Sequence, residues 1–80
     1  MPTVATIDGF RFFFYSEERI EPPHIHVEKG EYETKFWLDP VKKAVKWEFP
    51  VKDLKKVREI IEENQALFIQ KYNEHDSKKG

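Results

Sequence analysis

Two imidazoles stand two positions apart in Pro22-Pro23-His24-Ile25-His26-Val27, the segment of this chain best suited to chemistry. In an extended strand, residues i and i+2 point to the same face, so His24 and His26 stand side by side. Such a pair can ligate one metal ion, share a proton, or meet an anionic partner through hydrogen bonds or a pH-sensitive charge. A metal site needs a third ligand. Glu28 shares the face and completes the set His24, His26, Glu28, while Glu33 or Glu48 could arrive from a neighbouring strand. Acid–base work would pair a histidine with Glu28 or with the guanidinium of Arg11. The plain alternative is two histidines hydrogen-bonded to neighbours or water. No complete catalytic motif accompanies them, and a small sheet face rarely supplies a pocket that excludes water. Pro2, once Met1 is removed, would present a proline amine of the kind a few small tautomerases use as a base. Their strand–helix–strand order does not match this chain.

The elements that position these residues are short. Thr3 to Ile7 is β-branched and ends at Asp8-Gly9, a hairpin signal. Phe10 to Tyr15 follows, with Phe10, Phe12 and Phe14 on one face and Arg11, Phe13 and Tyr15 on the other. Ser16 to Pro23 reads as a loop, stiffened at its end because residues before proline avoid the α region. His24 to Glu28 is the next strand, with Ile25 and Val27 facing away from the histidines. Lys29-Gly30-Glu31 is a turn. Tyr32 to Leu38 returns, with Tyr32, Thr34, Phe36 and Leu38 opposite Glu33, Lys35 and Trp37, and Asp39-Pro40 ends it. Ala44 to Phe49 alternates once more, setting Val45, Trp47 and Phe49 against Lys46 and Glu48.

After Pro50 the apolar period changes from two to about 3.6. Leu54, Val57, Ile61, Asn64 and Phe68 form one stripe, broadened by Ile60 and Leu67, which predicts a single helix over about 51–72. Asp53 suits the first turn of that helix. The tail 73–80 is charged and expected to fray. The whole reads as one α+β domain over 1–80, an antiparallel sheet of four to five strands with one C-terminal helix on one face. That helix covers Ile25, Val27, Phe36, Leu38 and the phenylalanine row. The other face, carrying His24, His26, Arg11, Phe13, Tyr15, Lys35 and Trp37, is expected to be open and to act as the interaction face.

Composition narrows the partners. Eighty residues support one small core, here rich in rings, with 7 Phe, 3 Tyr and 2 Trp. Without cysteine there is neither a disulfide nor a thiolate-bound zinc to staple it. Fourteen Lys+Arg against fifteen Asp+Glu leave a net charge of −1, which exerts no overall pull on nucleic acid or acidic lipid. Sheet-face aromatics with Arg11, Lys35 and Lys46 could still stack on unpaired bases, although Glu28, Glu33 and Glu48 would repel phosphate. Lys52, Lys55, Lys56 and Arg58 are diluted by neighbouring acids and read as a solvated helix face. No run is long enough to span a bilayer and no basic-then-apolar leader opens the chain, so a cytoplasmic location and no membrane partner are expected.

Three ordered motifs add a resemblance. Ile7-Asp8-Gly9-Phe10-Arg11-Phe12-Phe13-Phe14-Tyr15-Ser16, Glu21-Pro22-Pro23-His24-Ile25-His26-Val27 and Phe36-Trp37-Leu38-Asp39-Pro40 are followed by Glu62-Glu63-Asn64 in the helix. Together they make the chain resemble a bacterial family known as domain of unknown function 4160. The chain departs from the pattern around Lys42 to Pro50, where Pro50 stands in place of a polar helix cap such as Ser. The resemblance implies no established activity and no catalytic residues. It implies a compact partner-type protein, often encoded beside another small protein, similar to toxin–antitoxin pairs. The expectation is therefore a protein-interaction module with a protein partner or a homodimer, and with no cofactor. The alternatives are a small metal-dependent or acid–base enzyme centred on His24 and His26, holding a divalent metal, and a regulator that touches nucleic acid.

Overall fold

Asp8 and Gly9 both adopt positive φ (53° and 84°), as the tight turn between the first two strands demands. The structure, a computed structural model, describes residues 3–15 and 21–77, with side chains as far as His75. Its strands are β1 (Thr3–Ile7), β2 (Phe10–Phe13), β3 (His24–Lys29), β4 (Tyr32–Leu38) and β5 (Val41–Lys43), and its helices α1 (Val51–Glu63) and α2 (Gln65–Ser77). The strands form one antiparallel sheet in the order β1-β2-β3-β4-β5, so each strand pairs with its neighbour in the chain. Gly30, also at positive φ (59°), turns β3 into β4. The register aligns Phe12 with Val27 and Val27 with Thr34, while Ile25 meets Phe36. Alternation then sends one apolar row to each side of these pairs.

The core lies between the sheet and the helices. Phe10, Phe12, Phe14, Ile25, Val27, Phe36 and Leu38 from the sheet meet Val57, Ile60, Ile61, Phe68 and Tyr72 from the helices, all of them buried. This is the face the alternation assigned to the core. The ring of Phe12 packs on that of Phe68 with centroids 5.4 Å apart.

Three features differ from expectation. The helix is two helices joined at Asn64, whose side-chain amide donates to the carbonyl of Ile60 (2.8 Å). A short polar side chain that bonds the preceding turn competes with the regular ladder and bends a helix. Gln65 then donates to the carbonyl of Leu38 (2.7 Å), tying the joint to the end of β4, and Leu67 is left exposed rather than in the stripe. The last strand is not Ala44 to Phe49. The Asp39-Pro40 turn, with a cis peptide bond, feeds directly into β5, which pairs Leu38 with Val41 and Phe36 with Lys43. Residues 44–50 form no strand, and Trp47 and Phe49 diverge. Phe49 is buried near Phe10 and Tyr32 in the core, whereas Trp47 stacks near His26 on the opposite face. Finally, the tail expected to fray from Asn73 stays helical to Ser77, with His75 placed against Phe14 (5.4 Å between ring centroids).

Helix α1 does begin at Val51, although Pro50 supplies no side-chain cap. The amides of Asp53 and Leu54 both reach the Pro50 carbonyl (3.0 Å), and the Asp53 carboxylate pairs with Lys29 (3.4 Å). Part of the loop expected over Ser16–Pro23, namely 16–20, lies outside the described residues, as does Pro2. Among the described residues no helix is long and apolar enough to cross a membrane.

Candidate functional site

The sheet face turned away from the helices is built from cross-strand rows. Arg11 aligns with Glu28, and Glu28 with Glu33; Phe13 aligns with His26, and His26 with Lys35; His24 aligns with Trp37. The interaction-face residues expected from the sequence are therefore brought together. They are not open. His24, His26 and Phe13 are each 1 % exposed, and Lys35 is buried. The chain covers this face with its own rings. Arg11 lays its guanidinium over Phe13 (4.4 Å to the centroid), and Tyr72 of α2 reaches the ring of His24 (5.6 Å). Tyr15 meets His26 edge-on at 4.3 Å, while Phe13 and Trp47 lie nearly parallel to it at 5.6 and 6.3 Å. Alternation shows which side chains share a face, but not that Tyr15 and Trp47, outside the strands, fold back upon it.

Burying polar groups here requires partners for them. Glu28 opposes Glu33, a like-charge pair that is relieved on both sides. Arg11 bonds Glu28 at 2.9 Å, and Glu33 accepts from the Tyr15 hydroxyl (3.0 and 3.2 Å to its two oxygens) and from His26 Nδ1 (3.2 Å). Lys35 pairs with Glu21 and sits over the ring of Trp37 (5.1 Å). His24 Nδ1 donates to the Pro22 carbonyl at 2.9 Å, with the Glu21 carboxylate 3.9 Å away. In both histidines Nδ1 faces an oxygen that accepts, so Nδ1 is the donating nitrogen.

The metal set His24, His26, Glu28 is on one face as expected. Glu28, however, is held by Arg11, and the carboxylate at His26 is that of Glu33. Among the described residues no three His, Cys, Asp or Glu side chains cluster as metal ligands.

Over the buried histidine the surface opens into a groove of about 770 Å³. His26 lines its floor, Tyr15 and Trp47 supply its aromatic walls, and Glu31, Glu33 and Glu48 its carboxylates, while Tyr32, whose ring packs by Phe49 against the core, also lines it. Trp47 is 48 % exposed, the indole standing partly in water. The expected interaction face contributes Tyr15 and His26 to this groove. Trp47, Glu31 and Tyr32 were not among the expected site residues. The available signal was Asp39-Pro40, a turn tight enough to place β5 at 41–43 and leave residues 44–50 free to cross the sheet edge.

A model of the family described as Domain of unknown function (DUF4160) matches residues 9–73, most of the chain. The chain belongs to the DUF4160 family. The DUF4160 span takes in β2 to β5, both sides of the helix joint, and every groove residue from Tyr15 to Glu48. Strand β1 and the last residues of α2 lie outside it. No curated protein and no solved structure matches the chain.

Proposed function

We propose that this DUF4160 domain is a non-enzymatic protein-interaction module acting in the cytoplasm, with the groove at Trp47 as its working surface. The carrying observation is the half-exposed indole of Trp47, which shares the groove with Tyr15 and is backed by the buried ring of His26. Tyr and Trp dominate the energetics of interfaces because they offer large apolar area at little cost in rotamer entropy. A rigid floor beneath them lowers that cost further. The histidines act from below: His26 orients Glu33 and supports Trp47 rather than meeting the partner itself. The partner in this reading is a second small protein, as in a toxin–antitoxin-like pair, an expectation attached to the family resemblance.

A nucleic-acid partner is disfavoured by the same surface. Phe13 lies beneath Arg11 and is buried, and the groove is rimmed with carboxylates that repel phosphate. The test is native mass spectrometry of the untagged protein, gently purified from its source cells, beside its Trp47→Ala variant. The module reading expects a complex with a second protein or a second copy, which dissociates to a folded monomer in the variant. A bare monomer in both samples, or a complex indifferent to the substitution, would reject it.

A second reading is a divalent-metal site at His24 and His26. It is favoured by their Nδ1–H donations to the Pro22 carbonyl and the Glu33 carboxylate, the outer hydrogen bonds that orient histidine ligands. The same spectra decide it. A stoichiometric metal mass that vanishes in a folded His24→Gln, His26→Gln double variant would support it, and metal-free protein throughout would remove it.

A further inference from the structure

We propose that the Trp47 groove recognises a basic side chain, lysine or arginine, presented on an exposed segment of a partner protein. The inference rests on the interaction-module reading and adds the chemistry of the occupant. Several carboxylates elsewhere on this domain are matched by its own cations, among them Glu28 by Arg11, Asp53 by Lys29 and Glu21 by Lys35. The groove differs. Among the described residues, three glutamates line it and no lysine or arginine does. Glu33 is held in place by Tyr15 and His26, so its charge is fixed at the groove floor. Glu31 and Glu48 are exposed and have no ion pair or side-chain hydrogen bond among the described residues.

Between these carboxylates stands an indole face. Trp is the ring that attracts a cation most strongly, and Tyr15 adds a further electron-rich ring. An anion would meet repulsion from all three glutamates. A purely apolar side chain would leave their charges partly desolvated and unmatched. A basic head on a flexible apolar stem satisfies both halves of the groove, with the stem along the rings and the head among the carboxylates. The groove is open and therefore suits a side chain projecting from a protein surface rather than an enclosed small molecule.

The probe is an acetylated, amidated hexapeptide of alternating alanine and lysine, titrated into the ¹⁵N-labelled domain, with an alanine–glutamate peptide as control. The lysine peptide is expected to shift the Trp47 indole N–H and the amides of Glu31 and Glu33, with an affinity that falls as salt rises. Glu31→Gln with Glu48→Gln should weaken it about tenfold, and Trp47→Ala about fivefold, the losses expected for exposed ion pairs and a cation–π contact. The double glutamine variant should otherwise keep the parent spectrum, since neither glutamate is tied to the fold. Shifts confined to other surfaces, equal binding of the glutamate peptide, or unchanged affinity in the double glutamine variant would overturn the inference. If the native complex depends on Trp47 while the lysine peptide leaves the groove untouched, the cation inference fails and the interaction module stands.

Discussion

Two glutamates share the groove and are expected to behave oppositely on removal. Glu33 accepts from the Tyr15 hydroxyl and from His26 Nδ1, and its side chain is only 30 % exposed. Hydrogen bonds to a charged group contribute about 1.5–3 kcal/mol each. Partial solvent access places both near the low end, so Glu33→Ala is expected to cost roughly 2–3 kcal/mol. Relief of the like-charge pairing with Glu28 opposes this by only about 0.2–1 kcal/mol, and Arg11 already neutralises Glu28 at 2.9 Å. The loss therefore wins. Against the ~4–12 kcal/mol expected of 80 residues, that is a large share of the total. It corresponds to a fall in Tm of roughly 10–20 °C for a domain of this size. Glu48→Ala, by contrast, removes an exposed carboxylate and is expected to stay within about 0.5 kcal/mol of the parent. Urea unfolding followed by far-UV circular dichroism measures both, provided the slopes agree. Equal, small effects of the two substitutions would refute the hydrogen-bonded assignment of Glu33.

Two further expectations concern the opposite face. Thr34 is fully buried and its hydroxyl has no hydrogen-bond partner among the described residues. Thr34→Val keeps the shape, removes that desolvated group and is expected to stabilise by about 0.5–1 kcal/mol; a lower urea midpoint would mean the hydroxyl is bonded after all. Phe12→Ala opens a hole between the sheet and Phe68 and is expected to cost about 3–5 kcal/mol, a large share of the total stability. A urea midpoint close to the parent's would contradict the placement of the core.

The core face was legible because period-two alternation specifies it directly. Ile25, Val27, Phe36 and Leu38, with the phenylalanine row, all lie where the pattern placed them. The Asp8-Gly9 turn was legible for a similar reason, since few residues tolerate the positive φ it requires. Asn64 was misread as one more position in an apolar stripe. Periodicity registers which face a residue occupies, not that its amide will bond the carbonyl of Ile60 and interrupt the ladder. The second sheet face shows the same limit. Alternation grouped Arg11, Phe13, His24, His26, Lys35 and Trp37 correctly, and their polarity suggested exposure. Burial followed from non-local contacts, Tyr15, Trp47 and Tyr72 closing over the histidines, and from ion pairs that make burial tolerable. Trp47 was hidden because residues 44–50 alternate like a strand yet form none, the Ala44 amide alone continuing the β5 pairing to the Lys35 carbonyl (2.8 Å) among the described residues. The groove is made where that irregular segment crosses the sheet, a feature of tertiary structure rather than of local pattern.

The most direct measurement is hydroxyl-radical footprinting of the isolated domain and of its complex from source cells, read at the two tryptophans. Trp37, half-buried beneath Lys35, serves as the internal reference. The account predicts ready oxidation of Trp47 in the isolated domain and strong protection in the complex, with Trp37 unchanged. Equal oxidation of Trp47 in both states would place the partner elsewhere and contradict the assignment of the groove.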